Sequence, residues 1–583
     1  MTAAAETAAV FIQKGKNMKF CEFPYKRIEI EEAQKSFAPC IEKLKNAKNY
    51  AEAREAFLDF DRLESKIGTQ SGISHVRHTV NTEDEFYSKE NDYWDQASPQ
   101  MEAGSIAFID EMLKSRFRKD FEKEFGKVMF LNAELSKKAF SPETVKEMQE
   151  ENALVSKYNK LVASAQIDFE GEKRTIAQLS LFKTSADDDI RRKAWLADGN
   201  FYVEHQKEFD DIYDSLVKIR TSMGRKLGFE NYTDLGYCRM GRNCYGKEDV
   251  AKVRAAVKKY IVPIAYDIKK KQAERTKLPF PMSFADDALV FRSGNPRPCK
   301  DSKGILESGK KMYEEMSPET GEFINRMFDS DMFDVLSKKG KAAGGYCITL
   351  TDYKMPFIFA NFNGTQHDAE VITHEAGHAF AAYQCRNIVP ALNASPSLES
   401  CEIHSMSMEF FAWPWSHLFF GKDTDKFHYS HLADALTFIP YGTMVDEFQH
   451  IVYENPELTP DERHREWAKL EGIYRPWLKL DGSAFYGEGK GWQRQPHIYR
   501  YPFYYIDYCL AQSVSLAFWA LMQDDREDAW KRYLLLVSKG GTQTFTELLK
   551  TAGIPSPFEE GSLKKIAEAA NRFLADFDTS KLV

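Results

Sequence analysis

The chain has 583 residues, 43% hydrophobic and 13% aromatic, which is ample material for a large core and, by length alone, for roughly two to four domains. Its 79 basic and 88 acidic residues are mixed along the chain and give a net charge of −9, which argues against a nucleic-acid partner. Nine scattered cysteines, without a close CxxC pair, favour reduced thiols in a cytoplasmic protein over a disulfide framework, and no apolar run is long enough to span a bilayer.

The first residues lack the basic and apolar regions of a secretory signal; Met18 reads as the native start, with residues 1–17 an added or disordered extension. Residues 30–165 carry the apolar period of long amphipathic helices. In "SPETVKEMQEENALVSKYNK", Ser141 is a natural N-cap and Pro142 suits the first helical position. The same signal recurs at Ser317–Pro318 and at Thr459–Pro460, where Glu462 completes a capping box. "IDFEGEKRTI", residues 167–176, alternates around Gly171 and predicts a small hairpin. Helical patterning returns over 185–275 and is followed by a Pro- and Gly-bearing stretch, 277–298, that marks a boundary or crossing loop. "GGYCITLTDYKMPFIFANFNGT", 344–365, reads as two short strands, and the remainder is helical almost to the end. The expected fold is mainly α with one small β-sheet.

"VITHEAGHAF", 371–380, places His374 and His378 one helical turn apart on one face. Two neutral imidazoles so spaced chelate one divalent ion, and Glu375 then stands beside the metal rather than on it. A catalytic zinc usually takes three protein ligands and keeps a fourth position for water. The extended HExxHxxGxxH pattern is absent, because Ala381 and Gln384 fill the required places, so a carboxylate third ligand is favoured. "PSLESCEIHSMSMEFFAWPW", 396–415, puts Glu399, Glu402 and Glu409 on one face of an otherwise apolar helix. One of them serves as ligand and the others as acceptors for imidazole N–H groups. Just ahead of the motif, "IFANFNGT" (358–365) predicts a sheet edge that pairs with a peptide backbone, with Phe362 and Gly364 at the contact. "YGEGKG", 486–491, reads as a mobile loop or an ordinary glycine turn; it lacks the ending of a phosphate loop.

"THEAGHAF", then "EIHSMSME", then "PHIYRYPFYYIDYCLAQ" at 496–512 together resemble the oligoendopeptidase F and Pz-peptidase branch of the thimet oligopeptidase family. The likeness is clear over 340–583 and extends to the N-terminal half in general character. It implies a zinc-dependent endopeptidase of short peptides, built as a two-lobed helical body around a deep substrate channel. Residues 18–330 would cover the channel and 331–583 would carry the chemistry. The resemblance places one Zn2+ on His374, His378 and Glu402, with Glu375 as general base and Glu399 and Glu409 in support. It gives His497, Tyr505 and Tyr508 transition-state and substrate contacts, and one residue of slack leaves Tyr501 and Tyr504 as rivals. His404 stands where relatives often carry proline. Two other readings stay open: an exopeptidase with the same chemistry, and a helical peptide-binding protein with a silent site. The latter predicts a missing ligand or base, yet all four residues are present.

Overall fold

Helix starts form where the sequence signals them. In the computed structural model, which describes residues 18–342, 344–362, 364–578 and 582, Ser141 Oγ accepts from the Glu143 N–H (3.3 Å). That cap opens a 3-10 turn, Pro142–Thr144, which runs into the helix Val145–Ala163. Ser317 Oγ caps Pro318–Asp329, and Thr459 and Glu462 cap each other at Pro460–Tyr474. Each such cap contributes about 0.5–2 kcal/mol. The extension expected at residues 1–17 lies outside the described residues.

The chain gathers into two compact units. One collects the described chain up to Lys137 with Arg297–Gly421 and Leu521–Ile554; the other collects Lys138–Pro296, Lys422–Ala520 and the chain from Pro555 on. Both draw on sequence from either side of residue 330, and one crossing falls at Pro296–Arg297, inside the Pro- and Gly-bearing stretch. In the first unit the helices Ile30–Asn46, Tyr50–Val80 and Glu85–Lys114 close around Phe37, Phe57, Phe60 and Phe108.

The same unit holds a three-stranded sheet beside the motif helix. Its middle strand is Met355–Phe362, parallel to Phe333–Leu336 on one side and antiparallel to Tyr346–Leu350 on the other. This corrects the expectation that 358–365 forms an edge. Ile358 pairs with Phe333 and with Cys347, and Phe359 with Asp334 and with Tyr346, so the backbone there already has neighbours on both sides. Met355 to Ala360 are all buried, and a strand covered on both faces needs no polar alternation. Phe362 pairs with Leu336 and is 3% exposed, a core side chain rather than a peptide contact. Gly364, at φ +84°, donates its N–H to Asp368 Oδ2 (2.7 Å) and turns the chain into the motif helix.

The expected hairpin, Ile167–Phe169 with Glu172–Arg174, lies in the second unit. A further parallel pair there, Met282–Ser283 with Leu478–Lys479, raises the count of small sheets among the described residues to three. Its two-residue strands are too short and too far apart in sequence to leave a pattern. The stretch 486–491 is anchored at both ends: Tyr486 and Lys490 are buried and Tyr486 donates to Asp198 Oδ2 (3.1 Å), while Gly487 and Glu488 are exposed. Among the described residues, no helix is long and apolar enough to cross a membrane.

Candidate active site

The motif helix, Gln366–Cys385, buries Ile372, Ala376 and Phe380 on its apolar face. Fully buried Tyr313 donates to the carbonyls of Thr373 (3.3 Å) and Ile372 (3.5 Å), fixing the turn that precedes His374. The following helix, Leu398–Phe411, lies against it at unusually close range. A Cβ on Gly377 would sit 2.7 Å from Ser405 Cα and 2.8 Å from the His404 carbonyl oxygen, so only glycine lets the two backbones meet there.

That approach carries Glu402 between the imidazoles. Its Oε2 lies 3.4 Å from His374 Nε2 and 3.5 Å from His378 Nε2, and the three ligand atoms fall within 4.8 Å of one another. Ligands at about 2.1 Å from a tetrahedral ion are about 3.4 Å apart, so the donor set fits zinc in number, type and spacing. Glu409 Oε1 takes a 2.7 Å hydrogen bond at His374 Nδ1, which orients the ring with Nε2 toward Glu402. Ser405 Oγ donates to Glu402 Oε2 (3.1 Å), a support that the sequence did not single out. Glu399, 1% exposed, accepts from Ser397 Oγ (2.7 Å).

The electrostatics describe a pocket built for positive charge. Burial disfavours protonated His374, yet hydrogen bonds to Glu402 and Glu409 hold its imidazole well above the usual range. Burial would likewise neutralise Glu402, but His378 and His374 keep its carboxyl well below the usual carboxylate range. A bound cation would take over the role of that proton. His404 shows the contrast: buried without such partners, it is pushed down to about 3 and stays neutral, while its carbonyl accepts from Tyr533 OH (2.8 Å).

Glu375 is half-buried on the same helix, and burial lifts its carboxyl above the ordinary range while His374 and His378 oppose the shift. Gly345 lies beside it: a Cβ there would stand at ordinary contact distance, 3.6 Å from Glu375 Oε1 and 3.4 Å from the Phe359 carbonyl oxygen.

In the second unit, His497 gathers three of the predicted tyrosines. Its ring lies 5.0 Å from Tyr505, 5.7 Å from Tyr508 and 5.9 Å from Tyr504, while the ring of Tyr501, 57% exposed, lies 6.5 Å from that of Tyr504. Burial pushes the Tyr505 phenol well above its ordinary range, keeping it a proton donor. The turn between His497 and these tyrosines is held from beneath. Arg220, fully buried, donates to the Ile498 carbonyl (3.5 Å) and to that of Tyr499. Phe503 adopts a left-handed φ of +69°, a conformation costing about 1–2 kcal/mol for a side chain of this kind. Gln449 Oε1 accepts its N–H (3.0 Å), and Arg242, ion-paired to buried Asp507 (3.0 Å), donates to its carbonyl.

Two imidazoles and a carboxylate converging beside a glutamate on an HExxH helix make the chain a metallopeptidase. It belongs to peptidase family M3: the description "Peptidase family M3" matches residues 314–568, and "Peptidase M3 N-terminal domain" matches 20–140. The chain is 46% identical to Pz peptidase A, solved with an inhibitor, over 96% of this chain and 100% of that one, with a TM-score of 0.93. Oligopeptidase PepF of Bacillus subtilis is 21% identical over 569 residues, 91% of this chain and 82% of its own length. The oligoendopeptidase F of Enterococcus faecium, at 14% identity, shares the fold over 94% of this chain and 98% of that one, with a TM-score of 0.61.

Proposed function

We propose that this M3 peptidase is a zinc endopeptidase of short oligopeptides, with Glu375 as its general base. The observation that carries the reading is the spacing of Glu402 Oε2 from the two Nε2 atoms, 3.4 and 3.5 Å, with Glu375 adjacent in the chain. His374, His378 and Glu402 would hold the ion. When bound, zinc supplies Lewis acidity toward water and toward the scissile carbonyl. Glu375 takes the proton of the attacking water and carries it to the leaving amine nitrogen; its burial keeps the carboxyl able to hold that proton between the two transfers. His497, Tyr505 and Tyr508 are the donors we assign to the carbonyl oxygen as it gains charge, each worth about 2.7–4 kcal/mol in the transition state. The substrates follow from the family, whose relatives include an oligopeptidase by name. Cytoplasmic residence is part of the same reading.

The test is Glu375→Gln. Zinc content measured by elemental analysis stays at one per chain while hydrolysis of a mixed peptide pool, read by mass spectrometry, falls about 10²–10⁴-fold. Wild-type turnover in that variant removes the base assignment. Peptides blocked at both ends should be cut as well as free ones; a requirement for a free terminus would make the enzyme an exopeptidase.

A further inference from the structure

Two local rules are broken at one contact beneath the aromatic cluster. Phe503, fully buried, takes a left-handed φ of +69°, a place that ordinarily goes to glycine. Gly236, buried inside the helix Tyr232–Arg239, stands where alanine would stabilise the helix by about 1 kcal/mol. The two residues meet: a Cβ on Gly236 would lie 2.5 Å from Cδ2 and 2.8 Å from Cε2 of the Phe503 ring. Glycine in the turn and alanine in the helix would relieve both costs, but the ring would be gone. The ring is gripped from several sides. It lies 5.0 Å from that of His450, 5.5 Å from Tyr453 and 5.7 Å from Tyr237. Gln449, fully buried, accepts the Phe503 N–H on Oε1 (3.0 Å) and is itself fixed by donating Nε2 to the Val445 carbonyl (3.1 Å). Arg242 donates to the Phe503 carbonyl. Strained residues persist where their surroundings over-determine them, and they gather at working sites.

Residues 501–504 join the helix Pro496–Arg500, which carries His497, to the helix Tyr505–Asp524, which carries Tyr505 and Tyr508. A rotation about φ of Phe503 therefore swings both tyrosines relative to His497, whose ring lies 5.0 and 5.7 Å from theirs. We infer that Phe503 is a positioning residue, a wedge seated on Gly236 that sets the angle at which Tyr505 and Tyr508 face His497. Being fully buried, it cannot reach a substrate and acts through the tyrosines. The inference rests on the reading of His497, Tyr505 and Tyr508 as donors to the reacting carbonyl. It explains why both local costs are kept. Glycine at 503 would accept the φ but leave the turn free to rotate, and alanine at 236 would favour the helix but lift the wedge.

The test is Gly236→Ala, which leaves every donor in place. The ring must retreat by about 1 Å to reach ordinary contact, and a misplacement of that size can cost about 10²-fold in rate. On peptides blocked at both ends, kcat should therefore fall about 10–100-fold, with KM and zinc content unchanged. Phe503→Leu trims the wedge and should lower kcat several-fold by itself. Its remaining branch can turn away from residue 236, so the double variant should turn over faster than Gly236→Ala alone. Gly104→Ala is the control, because its Cβ would overlap the Phe37 ring in the same way (2.5 Å from Cδ2) in the core of the other unit. It should lower the thermal midpoint and leave kcat at the wild-type value. Wild-type kcat in Gly236→Ala, a double variant no faster than that single one, or an equal loss of kcat in Gly104→Ala overturns the wedge. Should Gly236→Ala fail to fold, Phe503→Leu carries the test, and wild-type kcat there overturns it as well. Tyr505→Phe and Tyr508→Phe separate the two levels. Wild-type kcat in both sinks the donor reading, whereas loss of kcat there with wild-type kcat in Gly236→Ala sinks the wedge alone.

Discussion

Gly377→Ala adds one methyl group at the point where the two ligand-bearing helices touch. The new carbon would stand 2.7 Å from Ser405 Cα and 2.8 Å from the His404 carbonyl, and ordinary carbon contact is about 3.5–4.0 Å. Both obstacles are backbone, so neither can swing aside as a side chain would. The helices must part by about 0.8–1.3 Å, which stretches the 3.4 and 3.5 Å separations of Glu402 from the imidazoles beyond the edge of a zinc tetrahedron. Overpacking of this kind costs about 1–3 kcal/mol, and if most of that strain is relieved by letting the ion go, zinc affinity falls about 5–150-fold. Competition with a chromogenic chelator measures the affinity, and urea unfolding of the metal-free protein measures the strain that remains without the ion. A variant with wild-type zinc affinity would show that Gly377 does not set the ligand spacing.

Three further substitutions probe separate parts of the site. Glu409→Ala releases His374 Nδ1 and should weaken zinc binding about 10–100-fold in the same competition assay; an unchanged affinity would make the 2.7 Å contact incidental. Tyr508→Phe should lower kcat about 10²-fold with zinc content unchanged, and a wild-type kcat would return this ring to the lining of the aromatic cluster. Arg242→Met removes the guanidinium that ion-pairs buried Asp507, leaving it the Tyr245 hydroxyl (3.4 Å), and should destabilise the protein by about 3–5 kcal/mol in urea unfolding. A loss below about 1 kcal/mol would mean that Asp507 has another route to charge compensation.

The parts that were legible in the sequence are those that one helix encodes by itself. His374, Glu375 and His378 need only the 3.6-residue period, and the caps at Ser141, Ser317 and Thr459 need only the first turn. Glu402 and Glu409 were visible as acids repeated on an apolar face, and the structure turns both toward His374. What stayed hidden depends on partners distant in the chain. The stretch 358–365 reads as an edge because an apolar run does not reveal how many neighbours it has; two strands flanking Met355–Phe362 make it central. Gly377 looks like any helical glycine until Ser405 is placed against it.

The interleaving of the chain has a consequence for the order of synthesis. The aromatic core of the N-terminal helices is complete within residues 28–133 and can collapse while the ribosome is still reading the rest. The ligand-bearing helices are less independent, because Tyr533 hydrogen-bonds the His404 carbonyl and Val537 accepts from Cys385 Sγ (2.9 Å). Those braces emerge more than a hundred residues after Glu402, a delay of roughly 5–30 s at about 5–20 residues per second. The nascent enzyme therefore exposes its histidines and acids to the cell's metal pool well before the scaffold that holds them in register is finished.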